Sequence, residues 1–219
     1  MCLIQVDLLL RYRRRTAKGE QFPVTLADGS RVELNTDTEL RVHLSYRERR
    51  VDLLRGEAFF TVQHDAARPF EITTAGGRIR DLGTRFDVYA TPHQVTVDEG
   101  KVEVTTRPAH TATLSAGKQI AYTPEGALSP VTQAGRNATA WRDGHLAFDL
   151  TPLAEVMAQI ERYHPVKIVI ADPSLQALRV TGRFQFRDLL LLLRTLEATF
   201  PLKAEPAKDG QIRLSRVTN

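Results

Sequence analysis

Phe148-Asp149-Leu150-Thr151-Pro152-Leu153 leads into Val156, Met157, Ile160, Glu161, Pro165 and Lys167. The same layout returns 36 residues later. Phe184-Gln185-Phe186-Arg187-Asp188-Leu189 leads into Leu192, Leu193, Leu196, Glu197, Pro201 and Lys203. Each copy reads as a strand, an amphipathic helix, a proline break and a second strand. Leu153, Val156, Met157 and Ile160 form one helical stripe, and Leu189, Leu192, Leu193 and Leu196 form its counterpart. Thr151 before Pro152 is a good helix start, and Asp188 is placed to cap the second helix. Two such βαβ copies predict a small sheet with helices on one face.

Working towards the N-terminus, Thr123 to Thr139 holds Pro124, Gly126, Pro130, Gly135 and Asn137 with almost no large apolar side chain, and reads as a linker. Before it, period-2 alternation broken by glycine runs from Gln21 to about Tyr122. Val24-Thr25-Leu26 and Val32-Glu33-Leu34 flank Asp28-Gly29, a strong hairpin signal. Val51 to Val62 aligns with Val95 to Thr106, Gly56 falling on Gly100, and Leu114, Gly117 and Ile120 echo the spacing. The fold class expected is mainly β plus α+β: an all-β sandwich or solenoid-like domain over 21–122, a linker over 123–140 and a βαβ-repeat domain over 141–219. Residues 1–20 are expected to be disordered or misassigned. Leu3 to Leu10 is too short for a span, and it precedes the arginines that a signal peptide would carry first.

The chain has 219 residues, 42% apolar and 26% charged, which is globular composition. Its 30 basic residues, 24 of them Arg, exceed the acids by only four and lie scattered among them, so nucleic acid is not an expected partner. The single cysteine, Cys2, excludes an internal disulfide. His43, His64, His93, His110, His145 and His164 stand apart without zinc spacing. Asp98-Glu99 beside Gly100 and Asp81 are acids to weigh for catalysis, but a solvated turn does not separate two carboxyl pKa values. No nucleophile or phosphate-loop motif occurs, so no enzymatic activity, metal or cofactor is expected.

Leu189 to Leu193 is five leucines on one helix. By the repeat, Leu191 matches Glu155 and Leu190 matches Ala154, which gives the second helix an apolar flank that the first lacks. That flank either packs against other parts of the chain or docks a partner, with Leu190, Leu191 and Arg194 as the candidate partner-binding residues.

Taken in order, several stretches resemble the extracytoplasmic region of the FecR family of transmembrane anti-sigma regulators. They are Thr25 to Ser30 with Leu34-Asn35, Leu53 to Phe60, Arg68-Pro69-Phe70, Leu82 to Val88, Val97 to Val102, Leu114 to Gln119, and Trp141 with Gly144, Leu146 and Phe148. The repeat domain is similar to the short secretin and TonB N-terminal (STN) domain. The resemblance implies a periplasmic signal-receiving part that binds the signalling domain of an outer-membrane TonB-dependent receptor in iron-uptake regulation. Binding would use strand edges, the Leu190/Leu191 flank, or both. The family's sigma-factor-binding segment and membrane helix are missing from this sequence. Read from the residues alone, two other classes remain: a glycan-binding or carbohydrate-active β-coil protein, with Trp141 as its only tryptophan, and a secretin-type envelope assembly module.

Overall fold

The computed structural model describes residues 10–107, 110–135, 137–207 and 209–217. It divides into two compact units, Met1–Arg136 and Asn137–Asn219.

The first unit opens with β1 (Leu10–Arg15), β2 (Phe22–Thr25), β3 (Arg31–Leu34), β4 (Glu39–Leu44), β5 (Arg49–Arg55), β6 (Glu57–Thr61) and β7 (Phe70–Thr74). It continues with β8 (Gly77–Asp81), β9 (Arg85–Tyr89), β10 (Gln94–Glu99), β11 (Lys101–Thr106), β12 (Thr111–Ser115), β13 (Lys118–Ala121) and β14 (Thr132–Gln133). Two seven-stranded sheets result, ordered β1-β4-β5-β7-β8-β11-β12 and β14-β13-β10-β9-β6-β3-β2. Along each sheet the strands stand in chain order, because short groups of consecutive strands are laid down alternately on one sheet and then the other. The unit is therefore a sandwich that advances as a coil does, and both sequence-based descriptions apply. Alternate residues point inwards: Val51, Leu53, Ile72, Ile79 and Val102 from the first sheet meet Val32, Leu34, Val88, Val95 and Ile120 from the second in one core. Phe60 stacks on Phe86 at 5.4 Å and tilts against Phe70 across the sandwich at 6.3 Å.

The glycines aligned in sequence mark corners where the chain changes sheet. Gly56 takes β5 into β6, Gly100 takes β10 into β11 and Gly117 takes β12 into β13. At Gly56 (φ +79°) a Cβ would lie 2.3 Å from Thr38 Oγ1, and at Gly100 (φ +79°) 2.2 Å from the Gly83 carbonyl oxygen. No L side chain fits either corner.

Two boundaries differ from expectation. Residues 10–15 were expected to carry little fold information, yet they form β1, paired in register with β4 from Leu10↔Leu44 to Arg15↔Glu39. Tyr12 packs against the core while Arg11, Arg13 and Arg15 face outwards, and Arg14 lies over the Tyr12 ring. The run of three arginines hid this alternation. Residues 1–9 and Cys2 lie outside the described residues. The proline- and glycine-rich stretch from Thr123 also belongs largely to the first unit. Ser129 N–H donates to the Ala121 carbonyl, β14 pairs with β13, and Thr106 Oγ1 donates to the Gly126 carbonyl at 2.7 Å. These hydrogen bonds, with Leu128 packed against the core, hold the segment to the first unit.

The second unit contains β15 (His145–Pro152), α1 (Leu153–Glu161), β16 (Ile168–Ile170), β17 (Arg179–Gln185), α2 (Leu189–Thr199), β18 (Leu202–Pro206) and β19 (Ile212–Arg216). Both repeat copies are strand–helix–strand, but they do not make one sheet. The first strands, β15 and β17, pair with each other. The second strands, β16 and β18, lie on either side of β19, which has no counterpart in the repeat. The repeated acid has a structural task in both copies. Glu161 accepts the Ile168 N–H, and Glu197 accepts the Ala204 N–H at 2.7 Å, so each helix is tied to its second strand seven residues on. Asp188 caps α2 through the Leu191 N–H at 2.9 Å. Thr151 does not cap α1; it lies in β15. The first amides of that helix, on Leu153 and Ala154, donate instead to the Leu178 and Gln176 carbonyls.

With 123–134 bonded to the first unit, proteolysis should fall later than composition implies. Trypsin at low ratio should cut first between residues 134 and 140, leaving a C-terminal fragment of about 80 residues by mass spectrometry. A first cut between Val51 and Val104 would contradict this division.

Candidate functional site

Several of the stretches that carry the family resemblance meet in two buried polar networks of the first unit. In the first, Arg49 is 2% exposed. Its guanidinium donates to Asp28 Oδ2 at 3.1 Å, to the Gln63 carbonyl at 2.8 Å and to the Arg68 carbonyl at 2.7 Å, and lies over the Phe70 ring. Asp28 also accepts from Ser30 N–H and Oγ–H, and Ser30 Oγ accepts the Gln63 N–H at 3.0 Å. The bonds close a ring: Arg49, Asp28, Ser30, Gln63 and back to Arg49. Asp81 adjoins it, accepting from Thr84 Oγ1 and from the Gly83 N–H at 3.1 Å, with His64 beside Gly83. In the second network Asn35 Nδ2 donates to Glu57 at 2.7 Å, Thr38 Oγ1 donates to the Glu57 carbonyl, and Thr16 Oγ1 donates to the Asn35 carbonyl. These groups hold corners together.

The chemistry weighed from sequence does not assemble among the described residues. Asp98 and Glu99 are exposed and both pair with Arg85, at 3.4 and 3.2 Å. Each histidine has its own setting: His43 Nε2 meets Asp52 at 2.8 Å, His164 Nε2 meets the Phe186 carbonyl at 2.6 Å, and His93 tilts against Tyr122. Among the described residues no group of three or more His, Cys, Asp or Glu is placed to hold a metal ion. Trp141 is 4% exposed, so it offers no platform for stacking sugars.

Two surfaces remain. The outer face of the first sheet is basic, which corrects the reading of its arginines as scattered. Strand register lines up Arg11, His43, Arg50, Glu71, Arg80 and Glu103 in one row across the sheet. The next row is Arg13, Arg41, Asp52, Thr73, Arg78 and Thr105. With Arg15, Arg55, Glu39 and Lys101, the face sets nine cations against four carboxylates, a larger excess than the +4 of the whole chain. A cleft of about 600 Å³ lies on this face, lined by Arg50, Asp52, Glu71, Arg78, Arg107 and neighbouring threonines. Its carboxylates face cations already, Asp52 with Arg50 at 3.2 Å and Glu71 with Arg78 at 3.7 Å. The signal in the sequence was arginine at alternate positions, which becomes a patch only once the strands pair.

The other surface is α2. Leu192, Leu193 and Leu196 are buried, Leu189 is half-buried, and Leu190 and Leu191 are 67% and 56% exposed. Arg194 is exposed, one turn along from both leucines, so the three candidate partner-binding residues share one flank. On α1 the matching Ala154 and Glu155 are exposed, and Val156 and Met157 are buried as the repeat requires.

Comparison with known proteins follows the same division. The FecR protein family model matches residues 12–113, and the model described as FecR, C-terminal matches residues 145–214. No curated protein matches. Two crystal structures, each of a provisionally assigned anti-sigma factor from Parabacteroides distasonis ATCC 8503, are similar at 28% identity. They cover 95% and 94% of this chain and 100% of their own, with TM-scores of 0.79 and 0.80.

Asp81 provides a test of the first network. Burial pushes its carboxyl up to about 6, against the pull of the Gly83 N–H and the Arg49 charge. The folded state therefore holds this proton more tightly than the unfolded chain does. Stability from it is complete below about pH 4 and is lost as pH rises through about 6. Urea unfolding at pH 4.5 and 7.5 should show the wild type losing on the order of 2 kcal/mol relative to Asp81→Asn over that interval. Parallel pH profiles for the two proteins would remove the ionisation from the account.

Proposed function

The chain belongs to the FecR family, and on that premise we propose that it is the extracytoplasmic, signal-receiving part of an anti-sigma regulator. The second unit, in this reading STN-like, binds the signalling domain of an outer-membrane TonB-dependent receptor in the periplasm. That binding controls an extracytoplasmic-function sigma factor in iron-uptake regulation. The family is regulatory, and the two similar solved structures bear an anti-sigma assignment. Among the described residues no helix is long and apolar enough to cross a membrane.

The observation that carries the docking face is the mismatch within the repeat. At the helical angle where α1 presents Glu155 to solvent, α2 presents Leu191, and Leu190 stands beside it. The helix has no need of them for its own packing, because Leu192, Leu193 and Leu196 already fill its buried stripe. Exposed leucines beside an arginine are the composition of a helix face that enters an apolar groove.

Since Leu191 is exposed, Leu191→Glu should leave the melting transition within about 0.5 kcal/mol of wild type. Affinity for a receptor signalling domain, measured by titration calorimetry, should fall about ten-fold or more. Val156→Glu, at a fully buried position, should unfold the second unit by leaving a charge unpaired in its core. Unchanged binding by Leu191→Glu would move the docking face elsewhere. A wild-type chain that binds none of the receptor domains would remove the partner.

A further inference from the structure

The edge of the first sheet formed by β1 is strongly basic, and among the described residues no strand covers it. β1 ends the strand order and, among the described residues, pairs only with β4. In an antiparallel ladder the N–H and C=O of alternate residues point away from the partner, so about half of β1 offers donors and acceptors to a further strand. The side chains along this edge are short of counter-charge. Arg13 and Arg15 share the one carboxylate of Glu39, which Arg55 also approaches at 3.8 Å. Arg11 and Arg41, adjacent on the same face, form no ion pair among the described residues, and Arg14 lies over Tyr12 at 4.8 Å.

Charge on an edge strand also guards against self-association, since two β1 edges laid together would set arginine against arginine. Repulsion of that kind still leaves the edge complementary to a strand of opposite sign. The cations are guanidiniums, whose paired donors match a carboxylate in two-point geometry. A continuous anionic plane such as a lipid surface fits less well: laid across the whole face it would meet Asp52, Glu71 and Glu103, whereas the uncompensated charge is concentrated at β1 and β4.

We propose that the β1 edge accepts an extended acidic segment of a partner polypeptide as an added strand. The segment's backbone pairs with β1, and its alternate Asp or Glu side chains meet Arg11, Arg13 and Arg15. This surface belongs to the first unit and does not depend on the reading of α2.

The test is calorimetric titration of the full chain at near-physiological salt with an alternating Glu-Val peptide of about eight residues. Its lysine counterpart, its fully N-methylated form and phosphatidylglycerol vesicles are titrated in parallel. The acidic peptide should bind saturably and slow hydrogen exchange of β1 amides, while the lysine and N-methylated peptides should not bind. The variant Arg11→Thr with Arg13→Thr, checked by melting, should weaken the acidic peptide about ten-fold or more, and the Arg→Lys pair should restore part of the loss. Equal binding of the N-methylated peptide would reduce the surface to bare charge attraction and overturn the strand. Vesicle binding without peptide binding would overturn it in favour of a membrane, and absence of all binding would overturn it outright. The peptide arms decide the matter even if the double variant fails to fold.

Discussion

Arg49 holds a positive charge inside the first unit, and much of the local chain is arranged to make that tolerable. A buried guanidinium costs several kcal/mol unless its charge is matched and its donors are used. Asp28 supplies the charge, and the Gln63 and Arg68 carbonyls take further donors. The partners come from the β2–β3 turn and from the segment between β6 and β7, so one side chain sets the path of two connections. Its position at the start of β5, beside the Phe70 ring, links those connections to the aromatic cluster of the core. Removing either member of the pair leaves the other buried and alone, the costly direction of change.

The same logic explains where the family-like stretches fall. Asp28 and Ser30, Asn35 and Glu57, Gly56 and Gly100, Asp81 and Thr84 all sit at corners, turns or buried junctions. Their polar side chains are hydrogen-bonded and largely out of solvent. In the proposed reading, recognition falls to what the scaffold displays, the exposed flank of α2 and the basic edge of the first sheet. Both are built on regular elements, so their side chains keep fixed spacings that a partner can read.

Local pattern was legible in the sequence, and long-range pairing was not. The 36-residue repeat announced both helices, the Asp188 cap and the inward stripes, because these depend on residues within a turn or two of each other. It did not announce that β19 would separate the second strands of the two copies, since that depends on a segment outside the repeat. Gly56, Gly100 and Gly117 marked corners from the sequence, but which sheet each strand joins is set by packing across the core. β1 was missed because Arg13, Arg14 and Arg15 mask its alternation. The basic face was missed because Arg41, Arg50, Arg78 and Arg80 become neighbours only through register. Backbone hydrogen bonds, which composition does not report, drew residues 123–134 into the first unit.

The central claim is that the polar motif residues hold the scaffold while α2 receives the signalling partner. Hydrogen exchange of the full chain, with and without a receptor signalling domain, tests it most directly. Added protection on binding should centre on α2 around Leu190 to Arg194, and exchange around Asp28 to Ser30 and Gln63 to Arg68 should stay unchanged. Protection confined to those motif loops, with α2 unaffected, would contradict the account.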